Sequence, residues 1–247
     1  SVAEPSPPGR VPRRPPGRAS WLPKLASQAV LWRRPRLYYL RESLRGSRGL
    51  FDPACDLVLE AFPRSGNTYA LRMLQFSQRK ELVIRTHRHV PPVVLSALRI
   101  GKPVLLLVRP PREAVPSWQL YTGLPLEYVL RQYLLYHRIL LPHRERMQVE
   151  TFGDVTRDFR GVVERLERRF HFGLRTDFDE ERCRADAMEH IESHRRGVDG
   201  AIDVLRVNRP DPARAAMKER LLRAARSPRM DALFVESDAL YAALVAR

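Results

Sequence analysis

Residues 57–69 read Leu57-Val-Leu-Glu-Ala-Phe62-Pro-Arg64-Ser-Gly66-Asn-Thr-Tyr69: an apolar run, a turn and the start of a helical pattern. The run 57–62 is short and apolar, as a strand covered on both faces is. Helical character follows over 68–77, with Tyr69, Met73 and Phe76 at spacings of four and three. The same alternation continues outward. Residues 82–86 read as a strand, and 90–100 contain a short helix opened by Pro91 or Pro92. Val104-Leu-Leu-Leu-Val108 is a strand apolar throughout, followed by a helix with Pro111 near its start. A helix is predicted over 126–141, a strand over 147–152 and an amphipathic helix over 155–170. In that last helix Val155, Phe159, Val162, Leu166 and Phe170 form one stripe. Segments 179–192 and 213–246 add helices. Strand and helix in alternation predict an α/β fold, with a central, mostly parallel sheet flanked by helices and extra C-terminal helices.

The chain has 247 residues, of which 44% are hydrophobic, enough for a sizeable core. Its 44 Lys and Arg against 28 Asp and Glu give a charge of +16, which favours an anionic partner. Forty of those cations are arginine, as a GC-rich coding sequence also produces. Two cysteines, Cys55 and Cys183, exclude a disulfide scaffold and a cysteine-rich zinc site. No apolar run reaches membrane-spanning length, and the N-terminus lacks the apolar stretch of a secretory leader. A cytoplasmic protein is the expectation. Three regions are expected: a disordered Pro- and Arg-rich tail over 1–20, a basic helical segment over 21–50 and the α/β domain over 51–247. Segment 21–50 is broken by Pro35 and reads first as helix packed on the domain, with a peripheral membrane contact as the alternative.

The turn 62–68 joins a buried strand to a helix N-terminus, where unsatisfied backbone N–H groups and the helix dipole favour an anion. Gly66 permits close backbone approach, and Ser65, Asn67 and Thr68 add side-chain hydrogen bonds. Arg64 brings a permanent charge with a fork suited to phosphate or sulfate oxygens. The Walker A pattern is absent: Asn67 stands in the lysine's place and no glycine opens the loop. Downstream, Arg109 ends the strand 104–108, at the edge where parallel sheets bind ligands, and the helix expected next carries Ser117. Between them, Arg85-Thr-His87-Arg-His89 puts two histidines at the end of a strand, where a side chain of pKa near 6.5 accepts a proton at neutral pH.

Phe62-Pro-Arg64-Ser-Gly-Asn-Thr68 resembles the P-[KR]-S-G-[TN]-T loop of the sulfotransferases that use 3′-phosphoadenosine 5′-phosphosulfate (PAPS), here as a bacterial-type member. The resemblance runs in order over roughly 55–245. It implies that Arg64 and its loop grip the 5′-phosphosulfate, and that Arg109 and Ser117 bind the 3′-phosphate. Pro110 replaces the acid usual after that arginine, and Pro116 precedes Ser117. The family's Thr-His pair falls on Thr86 and His87, which makes His87 the general base, with His89 or a carboxylate as alternatives. Phe152 takes the place of an aromatic that contacts adenine, with Gly153 in place of an acid. Tyr69 stands where many members have a tryptophan against adenine; a core aromatic is its other reading. Arg195-Arg196-Gly197 fits the segment that wraps the 3′-phosphate, though Ala201-Ile202 replaces the Asp-Trp that follows it.

The implied activity is transfer of a sulfuryl group from PAPS to an acceptor hydroxyl or amine on a small molecule, carbohydrate or lipid. No metal is required, and oligomeric state and acceptor stay open. A divergent P-loop kinase or NTPase is a second reading, but no strand-end Asp of Walker B type is apparent. A basic nucleic-acid binder is a third, without a recognition motif.

Overall fold

In a computed structural model the structure describes residues 18–46, 51–193 and 211–246. The chain opens with α1 (Arg18–Arg33) and α2 (Pro35–Leu44), then runs β1 (Leu57–Ala61), α3 (Asn67–Ser77), β2 (Ile84–Thr86), α4 (Pro91–Arg99), β3 (Val104–Val108), α5 (Pro111–Thr122) and α6 (Leu126–Leu140). A 3₁₀ turn, Leu141–Arg146, leads into β4 (Gln148–Thr151), α7 (Phe152–Arg157), α8 (Phe159–Phe170), α9 (Glu180–Ser193), α10 (Pro212–Ala224) and α11 (Pro228–Val245). The four strands form one all-parallel sheet in the order β2-β1-β3-β4. This is the expected α/β architecture, with helices on both faces and extra helices at the C-terminal end.

β1 and β3 are buried at every position because each supplies both faces of the sheet. Val58, Val104, Leu106 and Val108 point into a core closed by α4, α6 and α11. Leu57, Leu59, Leu105 and Leu107 point to the other side, against Met73, Phe159 and Leu166 of α3 and α8. α1 and α2 lie on the first core, with Trp21, Trp32 and Tyr38 buried. α1 begins at Arg18, inside the stretch expected as tail, and Pro35 opens α2 at its first position, where a missing N–H is harmless.

Two boundaries differ from expectation. The strand expected over 147–152 ends at Thr151, whose hydroxyl caps the Asp154 N–H while the Asp154 carboxylate accepts from the Thr151 N–H. That capping box turns Phe152 into the first residue of a helix. The helix expected over 155–170 is two helices, because Asp158 leaves the helical region (φ −140°, ψ 65°) and accepts from the Gly161 N–H to start α8.

Sheet growth reverses about β1: β2 pairs on one side of it, and β3 and β4 follow on the other. The chain ends leaving β1 and β3 therefore diverge around a crevice at the C-terminal edge of the sheet, the place where open α/β sheets bind ligands.

Candidate active site

The loop after β1 turns into α3 through Gly66, which caps the helix in the left-handed region at φ 98°. Only glycine is at ease there, and a methyl group on Gly66 would sit 3.1 and 3.3 Å from the Phe152 ring carbons. Gly66→Ala is expected to cost about 1–2 kcal/mol from backbone strain alone, read as a fall in denaturation midpoint, and to push Phe152 off its seat. The Ser65 hydroxyl is buried in the loop with no hydrogen-bond partner. A buried donor with nothing to bind is costly unless a ligand oxygen meets it.

Arg109, at the end of β3, reaches back to this loop. Its Nη1 donates to the Arg64 carbonyl at 2.9 Å, and its guanidinium lies 3.9 Å from the Phe152 ring centroid. Glu113, one turn into α5, holds the other edge at 2.9 and 3.0 Å. Burial lowers the Arg109 pKa from its usual value, and Glu113 opposes that shift. The Tyr133 hydroxyl of α6 donates to the Arg109 carbonyl at 2.8 Å, fixing the strand end itself.

Ser117 is buried on α5, with Pro116 inside the helix. Its Oγ accepts from Arg64 Nε at 3.3 Å and from Arg214 Nη2 at 2.8 Å. The proline that precedes it therefore leaves the hydroxyl aimed at the site. Arg214 comes from α10, 97 positions away, and is buried. Lys218, one turn further along α10, has its pKa lowered by burial and then by repulsion from Arg109, Arg214 and Arg64, with Glu113 opposing. Four cations from three chain segments thus converge on one crevice.

His87 stands at the other edge of the loop. Its Nε2 is 3.0 Å from the Thr68 hydroxyl at the start of α3. The residue keeps exposed surface, yet enough protein surrounds the ring that desolvation lowers its pKa. Desolvation thus favours the neutral imidazole at His87. His89 is placed differently. Its Nδ1–H donates to the Ala61 carbonyl at 2.9 Å, and burial depresses its pKa to about 4.

Glu60, an acid in the middle of β1, was not singled out from the sequence. It is fully buried, and its two oxygens accept from the Arg88 and His89 N–H groups at 2.8 and 2.9 Å. It anchors a loop in which His87 (φ 63°) and His89 (φ 54°) are both left-handed, as Arg64 (φ 69°) is across the crevice. The sequence signal was available: a single carboxylate in the run Leu-Val-Leu-Glu-Ala.

Burial pushes the Glu60 pKa up to about 7, against the pull of its backbone hydrogen bonds. His137, fully buried on α6, falls to about 4 by the same desolvation. The signs oppose. His89 and His137 bind protons more tightly when unfolded, so their stability is present above about pH 6.5 and lost as pH falls toward 4. Glu60 binds its proton more tightly when folded, so its contribution is present below about pH 4.5 and lost as pH rises through 7. Two groups outweigh one, and stability is expected to fall between about pH 6.5 and 4.5. Glu60→Gln should steepen that fall, read as urea midpoints across the range; an unchanged slope refutes the assignment.

Of the residues singled out from sequence, Arg64, Ser65, Gly66, Asn67, Thr68, His87, Arg109, Ser117 and Phe152 surround this one crevice. Asn67 Nδ2 reaches the Thr86 hydroxyl at 3.4 Å. Tyr69 points into the core beside Met73 and Phe159, which is its alternative reading. Arg195, Arg196 and Gly197 lie outside the described residues.

No family model matches this chain, and no curated protein matches its sequence. Among solved structures, a crystal structure of mouse sulfotransferase SULT7A1 complexed with PAP is similar over 78% of this chain and 93% of that one. The identity is 15% and the TM-score 0.47. A likeness at that level carries no residue assignments across, so the site is read from this chain's own side chains.

Proposed function

We propose that this protein is a PAPS-dependent sulfotransferase. The observation that carries the reading is the joining of Arg64, Arg109 and Ser117 around a helix N-terminus, at the reversal point of a parallel sheet. Arg64 and the 65–68 N–H groups would hold the 5′-phosphosulfate and stabilise charge on the transferring oxygens. Arg109 and Ser117 would receive the 3′-phosphate, and Phe152 would lie against the adenine. The buried Ser65 hydroxyl, the glycine backbone seated against Phe152 at the start of α3 and the cation cluster fit such a polyanion.

The chemistry is in-line displacement. The acceptor oxygen or nitrogen forms a bond to sulfur as the bridging bond to the 5′-phosphate breaks, and the acceptor proton passes to His87 Nε2. That nitrogen is now hydrogen-bonded to Thr68, so an acceptor hydroxyl takes over or shares this contact. Positioning and electrostatics do most of the work, as in phosphoryl transfer. The acceptor class among small molecules, carbohydrates and lipids is set by surfaces beyond this cluster.

Calorimetry with 3′-phosphoadenosine 5′-phosphate (PAP) and with ATP tests the reading. Binding of the first, independent of Mg²⁺, with little binding of ATP is expected. Preference for ATP with Mg²⁺ would instead support a kinase or NTPase.

A further inference from the structure

The outer faces of α1 and α2 expose large apolar side chains. Nine large apolar side chains are exposed among the described residues, and five of them are on these two helices: Leu22, Val30, Leu37, Leu40 and Leu44. Leu37, Leu40 and Leu44 follow at three and seven positions, a single stripe along α2. Leu22 and Val30 are eight positions apart on α1, with exposed Ala26 midway between them. The inner faces are already used, since α1 packs on α4 and α6, α2 packs on α4, and Trp21, Trp32 and Tyr38 are buried there. Each helix thus carries apolar side chains on two sides, and the described residues cover only one of them. An exposed apolar face of this kind marks an interaction surface.

Charge selects the partner. Residues 18–46 carry six arginines and one lysine against a single carboxylate, Glu42. Lys24, Arg33, Arg34, Arg36 and Arg45 are exposed around the leucines. A second copy of this chain would bring the same cations face to face. Nucleic acid would satisfy the arginines but leave the leucines in water. An anionic bilayer satisfies both, with phosphates for the arginines and acyl chains for the leucines. No described helix is long and apolar enough to cross a membrane. We propose that α1 and α2 dock this protein on an anionic lipid surface, lying in the headgroup layer.

The test is co-sedimentation of the full chain with vesicles of phosphatidylcholine alone and of phosphatidylcholine mixed with phosphatidylglycerol, at physiological salt. Binding to the mixed vesicles and little to the neutral ones is expected. The triple variant Leu37→Ser, Leu40→Ser, Leu44→Ser keeps every charge and should bind about ten-fold or more weakly, because such binding scales with buried apolar area. These positions are exposed, so its thermal unfolding midpoint should stay near that of the parent. Arg33→Glu with Arg36→Glu should remove the preference for the anionic vesicles. Absence of binding overturns the proposal. So does undiminished binding of the serine variant, which would reduce the effect to the overall charge of the chain. A dimer that the serine variant loses, without vesicle binding in the parent, would assign the face to a second copy instead.

Discussion

Replacing His87 with alanine is expected to cut kcat by about 10²–10⁴, while PAP affinity stays close to that of the parent. In the proposed reading the imidazole serves the acceptor, and it meets the start of α3 through its hydrogen bond with the Thr68 hydroxyl. Because desolvation lowers its pKa, the acidic limb of the pH–rate profile should be shifted toward acid from that of an ordinary imidazole, and it should vanish in His87→Ala. His89→Ala should retain the limb. Its ring is tied to the Ala61 carbonyl and is already neutral far into acid, so its loss acts through the loop and not through proton transfer. A His87→Ala enzyme with near-normal kcat and an intact limb would move the base to another group and leave the cofactor reading standing.

Arg109→Ala is the second large effect. A hydrogen bond to a charged group contributes about 1.5–3 kcal/mol, so PAP should bind roughly 10- to 150-fold more weakly. AMP, which lacks the 3′-phosphate, should lose much less. Ser117→Ala should shift the same ratio in the same direction, because its hydroxyl meets Arg64 and Arg214 at the same spot. Equal weakening of both nucleotides would mean that Arg109 acts only by holding the Arg64 loop and Phe152 in place.

Much of this site was legible in the sequence because the residues sit where local rules operate. The short apolar run before Pro63 reads as a covered strand, and the turn residues through Gly66 place Ser65 and Thr68 at a helix start. The spacing from Arg109 to Ser117 follows from a strand end and two turns of helix. Some of what escaped was also local: Thr151-Phe-Gly-Asp154 is a capping-box pattern, and Asp158 three residues before Gly161 is a helix start. Arg214 had no such signal. It is one arginine among forty, and only tertiary packing carries it to Ser117. Glu60 lies between: its place in an apolar strand marks it as unusual, but the backbone donors it serves come from a loop 28 residues on.

The left-handed backbone at Arg64, His87 and His89 has a consequence for how this protein can change. A non-glycine residue in that region gives up roughly 1–2 kcal/mol, so selection for stability alone would drift toward glycine at all three positions. On the proposed reading, two of those drifts would remove the charge that meets the anion and the imidazole that takes the proton. Directed evolution screened on thermal tolerance should therefore enrich glycine or asparagine at these positions and extinguish turnover, while a screen on turnover should hold them fixed and collect its stabilising changes elsewhere.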